Sequence, residues 1–324
     1  MKKQLSLPFC RLMIFLLVMS CLQGIQAQPV ITDDDMPAPG DTIRKSTNVS
    51  ALGIDYTLTG EDYTWDFSEL FPLAQTVDTF ASVNSVPILY QVVFIPNIVA
   101  NLAQKFPEID TIPEIEIIDP YRFFFFFSFF FNDVGLAVTI NSIPIPLKYN
   151  DPDVLYKFPV AYANSDSSFS GLEYTIPNLG YLSIDRKRVN HVDGWGSLTT
   201  PYGTFDVIRL KSEIFETDSV YIDSISFGMQ IERIYTEYKW MANGFGAPLL
   251  QVYEEGPLLQ VSWIDSVRNP VTAVPEESAQ SNSMTISPNP AQGMTQIRLQ
   301  LQNKGGIRLA LFNLAGQKVA SIYE

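Results

Sequence analysis

The sequence predicts a mostly β protein whose body is an antiparallel β-sandwich or meander with one small inserted helix. Three observations predict it. Prolines (22) and glycines (18) cut the chain into short segments dense in Val, Ile, Tyr, Phe and Thr, the pattern of strands and turns rather than of a helical bundle or a βαβ array. Several of these segments alternate apolar and polar residues with period two, which sets one face of a strand against a core. The length, 324 residues with 46% hydrophobic and 17% charged residues, supplies a substantial core and argues against disorder.

Met1 to Arg11 is basic and Leu12 to Met19 is apolar. These are the n-region and h-region of a signal peptide spanning residues 1–27, with cleavage expected between Ala27 and Gln28. The run is too short for a membrane-spanning helix, which needs ~20 apolar residues, so the chain is not expected to be an integral membrane protein. An alternative reading of the same residues is a lipoprotein signal acylated at Cys21. Cleavage after Ala27 removes Cys10 and Cys21, the two cysteines of the chain, and leaves no disulfide or thiol chemistry.

Residues 28–266 form the β-rich body. Pro96 to Phe106 places Ile98, Val99, Leu102 and Phe106 at helical spacing and predicts the inserted helix; Ile109 to Ile118 reads as a lobe or flap beside it. Phe123 to Phe131 holds eight phenylalanines interrupted by Ser128, and its length matches a strand of ~30 Å buried on both faces; the alternatives are a membrane-contacting hairpin or a sticky interface. From Thr204 to Ile264 the pattern is an antiparallel meander. Thr204 to Lys211 alternates, Glu216-Thr217-Asp218 turns, and Ser219 to Phe227 returns. Met229 to Met241, Pro248 to Tyr253 and Leu258 to Ile264 follow, separated by turn signals at Asn243-Gly244 and Glu255-Gly256.

Residues 267–284, rich in Ser, Gln, Asn, Pro and Glu, read as a linker. Within residues 285–324, Ile297, Leu299 and Leu301 alternate with Arg298, Gln300 and Gln302. Lys304-Gly305-Gly306 turns the chain into a second alternating strand, Ile307 to Leu311. The segment SPNPAQGMTQIRLQLQNKGGIRLALFNLAGQKVASIYE resembles the type A carboxy-terminal sorting domain that directs Bacteroidota proteins through the type IX secretion system. The matching positions include Pro288, Asn289, Pro290, Gly293, Asn313 and Gly316. The resemblance implies a small sandwich-like β-domain acting as an export signal, read by the type IX machinery and usually cut off on arrival, with cargo released or attached to the cell surface. Members of that family continue through further strands to an apolar and basic terminus, so the match ending at Glu324 is to part of the domain. Two stretches of the body, Ile31 to Ser68 and His191 to Arg209, look like Bacteroidota exported proteins of unknown function, a likeness that adds to the export reading and supplies no activity.

Net charge and inventory exclude much chemistry. With Lys plus Arg at 21 against Asp plus Glu at 35, the net charge is −14, which repels nucleic-acid phosphates. The single histidine, His191, limits zinc sites and any Ser-His-Asp mechanism to that residue, with Asp193 the nearby carboxylate. No Gly-x-Ser-x-Gly elbow is present, and no metal ligand set is predicted. Calcium is the one ion with oxygen-rich segments to receive it, at Asp33-Asp34-Asp35 with Asp41 and at Asp151-Pro152-Asp153, though neither has EF-hand spacing. The bland reading of the second is a Pro-centred turn. Of the tryptophans Trp65, Trp195, Trp240 and Trp263, Trp195 between Gly194 and Gly196 reads as a loop residue able to stack on a ligand. The expectation is a secreted or cell-surface protein, a binding, adhesion or structural module with an unidentified surface ligand or glycan as partner. The alternative is a secreted glycan-active enzyme or carbohydrate-binding protein, an enzyme needing two carboxylates facing each other in a cleft beside a Trp.

Overall fold

The structure, a computed structural model, describes residues 28–49, 55–106, 116–176, 180–223, 226–268, 283–287, 293–300, 308–312 and 318–323. The chain divides into two compact units, Met1–Pro270 and Val271–Glu324. The expected signal peptide, residues 1–27, lies outside the described residues.

The first unit is β, as expected, and its pairings are antiparallel apart from one parallel strand, but it is not a sandwich. Its strands are β1 (Thr42–Asn48), β2 (Tyr63–Asp66), β3 (Ala74–Ala81), β4 (Leu102–Lys105), β5 (Ile117–Phe127), β6 (Phe130–Ile140), β7 (Ile143–Lys157), β8 (Ser165–Ile176), β9 (Gly180–Thr200), β10 (Gly203–Ile222), β11 (Phe227–Met241), β12 (Leu250–Glu255) and β13 (Leu258–Ile264). They follow the order β10-β11-β12-β13-β1-β3-β4-β5-β6-β7-β8-β9, and β9 pairs back onto β10, so the sheet closes into a 12-strand barrel. The long β9–β10 ladder, running from Gly203↔Thr200 to Ile222↔Gly180, makes the closure. β2 runs parallel to β9 and pairs Tyr63 through Asp66 with Gly196 through Thr199, beyond the point where β8 ends at His191.

Three sequence expectations are corrected here. The helix forms at α1 (Ile88–Phe94), upstream of the expected Pro96 to Phe106. Asn97 and Ile98 adopt left-handed backbone with φ 57 and 54, which ends helical propagation, and Leu102–Lys105 joins the sheet as β4. The phenylalanine run is a hairpin, not one buried strand. β5 and β6 turn at Ser128-Phe129 and pair Phe126↔Phe131 and Phe127↔Phe130, which buries Phe123, Phe124 and Phe131 while Phe127, Phe129 and Phe130 stay exposed. The turn expected at Glu216 to Asp218 is continuous strand in β10, because Glu216 faces inward and is bound by Arg186 and Arg233. Elsewhere the meander from Gly203 to Ile264 has the expected strand order.

Much of the apolar core lies on the outer face of the barrel. Lys239 and Trp240 are consecutive on β11 and face opposite ways, Lys239 into the barrel and Trp240 outward. Trp240 is buried under Trp65 and Phe67, with ring centroids 5.9 and 5.5 Å away, among Leu250, Val252, Val261 and Trp263. On another side α1 buries Tyr90 and Phe94 against Ala103, Phe123 and Val134, with the Phe94 and Phe123 rings stacked at 3.8 Å. Its other side, Ile88, Leu89, Val92 and Ile95, is exposed. Among the described residues no helix is long and apolar enough to cross a membrane.

The overlay of residues 55–67 is fastened by Arg209, 1% exposed. Its guanidinium donates to Asp193 from Nε at 2.8 Å and Nη2 at 2.7 Å. It also donates to the carbonyls of Tyr56 at 2.6 Å and Leu58 at 3.2 Å, and it lies against the Tyr238 and Trp240 rings. Gly194 and Gly196 let the overlay approach this closely. A Cβ at Gly196 would fall 2.0 Å from the Tyr63 carbonyl oxygen, and one at Gly194 would fall 2.1 Å from Thr59 Oγ1. The run from His191 to Arg209 is thus occupied by this fastening.

The second unit holds two hairpins, β14 (Ser283–Ser287) with β15 (Gln296–Gln300) and β16 (Leu309–Phe312) with β17 (Lys318–Tyr323). β15 and β16 fall on the two alternating segments, and β14 begins inside the stretch read as linker. Gly293 has φ +118; Pro288, Asn289, Pro290, Asn313 and Gly316 lie outside the described residues.

Replacing the buried Arg209 by Met strands the half-buried Asp193 carboxylate and the carbonyls of Tyr56, Thr57 and Leu58, and is expected to cost about 3–5 kcal/mol in urea unfolding. A loss below about 1 kcal/mol would contradict the fastening role.

Candidate functional site

The barrel interior is charged. Asp153 on β7 accepts from Arg188 Nε at 2.9 Å and Nη2 at 2.8 Å, and from Arg186 Nη1 at 2.8 Å. Arg188 reaches on to Glu237 of β11 at 3.1 Å, and Lys239 holds Glu237 at 2.6 Å. Arg186 and Arg233 both bind Glu216 of β10. The Asp153–Arg188 and Arg188–Glu237 bonds skip β8 and β10 and so join strands that are not neighbours. Below the network, Leu147, Tyr149 and Leu172 form an apolar layer with Ile184 packed against it.

Burial and pairing split the carboxyl groups. Burial opposes the charge on Asp153, but the hydrogen bonds and charge of Arg188, then of Arg186, outweigh it and hold Asp153 at about 2. Glu237 is likewise brought down to about 2, burial being overcome by Lys239 and Arg188. Asp133 on β6, directly opposite Asp153 in the ladder, is pushed up by burial, with Arg122 at 3.2 Å only partly offsetting it.

A cavity of about 180 Å³ adjoins this network, bordered by residues of β1, β3, β4, β5, β6, β7, β9, β11 and β12, and by Met36, Pro37 and Gly246 to Pro248. Its polar lining includes five cations, Lys45, Arg122, Arg186, Arg188 and Lys239, and three carboxylates, Asp133, Asp153 and Glu237. Its apolar wall includes Phe124, Phe131 and Tyr156, whose rings follow one another at 5.0 and 5.8 Å.

Two lining groups stand apart. Gln104 on β4 is 8% exposed, and its side-chain amide has no hydrogen-bond partner among the described residues. Arg122, its register partner on β5, lies deep in the barrel yet leaves 43% of its side-chain surface free because it borders the cavity. Its Nε approaches Asp133 and its guanidinium lies over the Phe106 ring, 5.6 Å from the centroid, while Nη1 and Nη2 have no hydrogen-bond partner among the described residues. The other lining cations are paired, Lys45 with Asp78 at 2.6 Å.

The residues singled out from sequence lie elsewhere. Trp195 is inside β9, half-buried, not on an exposed loop. His191 is exposed on the outer face, with Nδ1 2.7 Å from Ser165 Oγ, while Asp193 is committed to Arg209; no triad is assembled. Asp35 accepts from Thr32 N, Asn243 Nδ2 and Gly244 N, tying residues 32–35 to the loop after β11, and Asp41 accepts from Ala38 N. Asp151-Pro152-Asp153 lies within β7 rather than in a turn, with Asp151 exposed and Asp153 clasped by arginines. Among the described residues no group of three or more His, Cys, Asp or Glu could hold a metal ion. The calcium reading thus has no assembled ligand set there. Gln28 is half-buried, and Ala27 lies outside the described residues.

Sequence reasoning missed Gln104, Arg122, Asp133, Arg186, Arg188, Glu237 and Lys239. In Asp185-Arg186-Lys187-Arg188 both strand faces carry charge, so alternation does not reveal which side is buried.

The site defines the class as a closed antiparallel barrel with a charged, partly empty interior. The chain matches no protein-family model, and no curated protein and no solved structure matches it.

Because Asp153 and Glu237 sit below their ordinary ranges at about 2, they add stability that is present above their unfolded values and lost as pH falls through their folded ones. The melting temperature is expected to fall steeply between about pH 4.5 and pH 2. Asp153→Asn, less stable at neutral pH, is expected to show a shallower fall. A melting temperature level over that window would contradict the pairing.

Proposed function

We propose that the protein is a non-enzymatic binding protein, exported to the cell surface or medium by the type IX secretion machinery, whose barrel interior holds a small polar ligand. The observation that carries the binding reading is the cavity, where the Gln104 amide and the Nη atoms of Arg122 have no hydrogen-bond partner among the described residues. Buried polar groups are normally satisfied within the fold, and ligand sites combine an apolar wall with a few convergent polar groups. The export reading is supported by the sequence, namely the basic and apolar segments of residues 1–27 and the ordered motif Pro288-Asn289-Pro290, Gly293 and Asn313 to Gly316.

A glycan-active enzyme requires two reachable carboxylates beside the substrate. Asp133 and Asp153 are the nearest approach to such a pair. Both are buried, both oxygens of Asp153 are engaged by arginine, and no tryptophan lines the cavity, so the pair suits holding a charge pattern better than attacking a bond.

Mass spectrometry of the protein recovered from the medium and outer membrane of its natural host tests both parts. Under native conditions a small-molecule increment that denaturation removes is expected, and under denaturing conditions a chain beginning at Gln28. A bare native mass contradicts the binding reading; a cytoplasmic chain retaining residues 1–27 contradicts export.

A further inference from the structure

The two free groups of the cavity are neighbours. Phe80, Gln104 and Arg122 follow one another across β3, β4 and β5 in register, Phe80↔Gln104 and Gln104↔Arg122, and all three line the same space. The free nitrogens of Arg122 form the fork that receives a carboxylate through two parallel hydrogen bonds, and the Gln104 amide supplies a further donor beside it.

The remaining wall is apolar. The ring series Phe124, Phe131 and Tyr156 lies along the cavity, with Met241 and Ala247 also lining it. Its size of about 180 Å³ exceeds the ~150 Å³ of an apolar cavity that admits benzene. A ring fits, and a long chain does not.

An anion is accommodated when one carboxyl of the cavity is neutral. Asp78 and Glu216, behind Lys45 and Arg186, balance the five lining cations when all groups are ionised. Asp133, which burial favours in its neutral form, is the carboxyl that gives way when another negative charge enters. We propose that the cavity binds a small monocarboxylate with a ring-sized apolar body, its carboxylate held by Arg122 and Gln104 and its ring against Phe124 and Phe131. This inference rests on the binding reading above.

Calorimetric titration of the protein with benzoate, benzyl alcohol and sulfate separates the two. Benzoate is expected to bind at least about tenfold more tightly than either other probe, since a charge-assisted contact adds on the order of 1.5–3 kcal/mol. Arg122→Met is expected to abolish that preference. Gln104→Leu, which changes no charge and serves should Arg122→Met fail to fold, is expected to weaken benzoate severalfold with little effect on benzyl alcohol. Benzyl alcohol binding as tightly as benzoate overturns the carboxylate assignment while the cavity remains a binding site. Sulfate matching benzoate overturns the ring, and benzoate affinity unchanged in a folded Arg122→Met or Gln104→Leu protein overturns the grip. Failure of all three probes to bind overturns the binding reading itself.

Discussion

Asp153, clasped by Arg186 and Arg188, is the contact on which the closed barrel depends. A barrel has no free edge only if every neighbouring pair of strands is joined, and the β7–β8 junction has the fewest register pairs, Asp151↔Gly171 alone. The clasp crosses that junction from β7 to β9. Buried ions are costly when alone and tolerable when paired with good geometry, and Asp153, 1% exposed, has both oxygens satisfied. Each further ion is constrained in turn: Arg188 by Glu237, Glu237 by Lys239, and Arg186 by Glu216.

The size of the barrel explains why charges occupy its interior. Around eight strands leave a lumen that side chains just fill, and more strands leave space. A 12-strand closure therefore accommodates long Arg and Lys side chains and still retains a cavity. Much of the apolar burial that stabilises the unit moves outside, beneath residues 55–73 and beneath α1. Arg209 and Asp193 serve the outer layer as Arg188 and Asp153 serve the inner one, a guanidinium fork joining segments that the backbone ladder does not.

Much of the fold was legible in the sequence. Alternation in Leu258 to Ile264 and the turn signals at Asn243-Gly244 and Glu255-Gly256 placed the strands of the meander, because turns and two-sided burial are local. Closure was not legible, since a sandwich and a barrel share the same local strand and turn pattern, and here closure needs the long-range pairing of β1 with β13, Lys45↔Ile264 to Asn48↔Val261. The helix was misplaced because apolar spacing continues through Pro96 and Asn97, where the backbone breaks. The site was hidden for a related reason. Arg122 precedes a run of phenylalanines and Asp153 sits in a Pro-containing acidic segment, so each looks local until β4, β5, β6 and β7 curl to bring them onto one interior surface.

The most direct test of this account is a double-mutant cycle between Asp153 and Arg188, using Asp153→Asn and Arg188→Met with urea unfolding as the readout. If the clasp holds the barrel shut, the pair is coupled by about 2 kcal/mol or more. Single losses that add to within about 0.5 kcal/mol would show the two residues to be independent, and the dependence of the closed barrel on its buried ions would be contradicted.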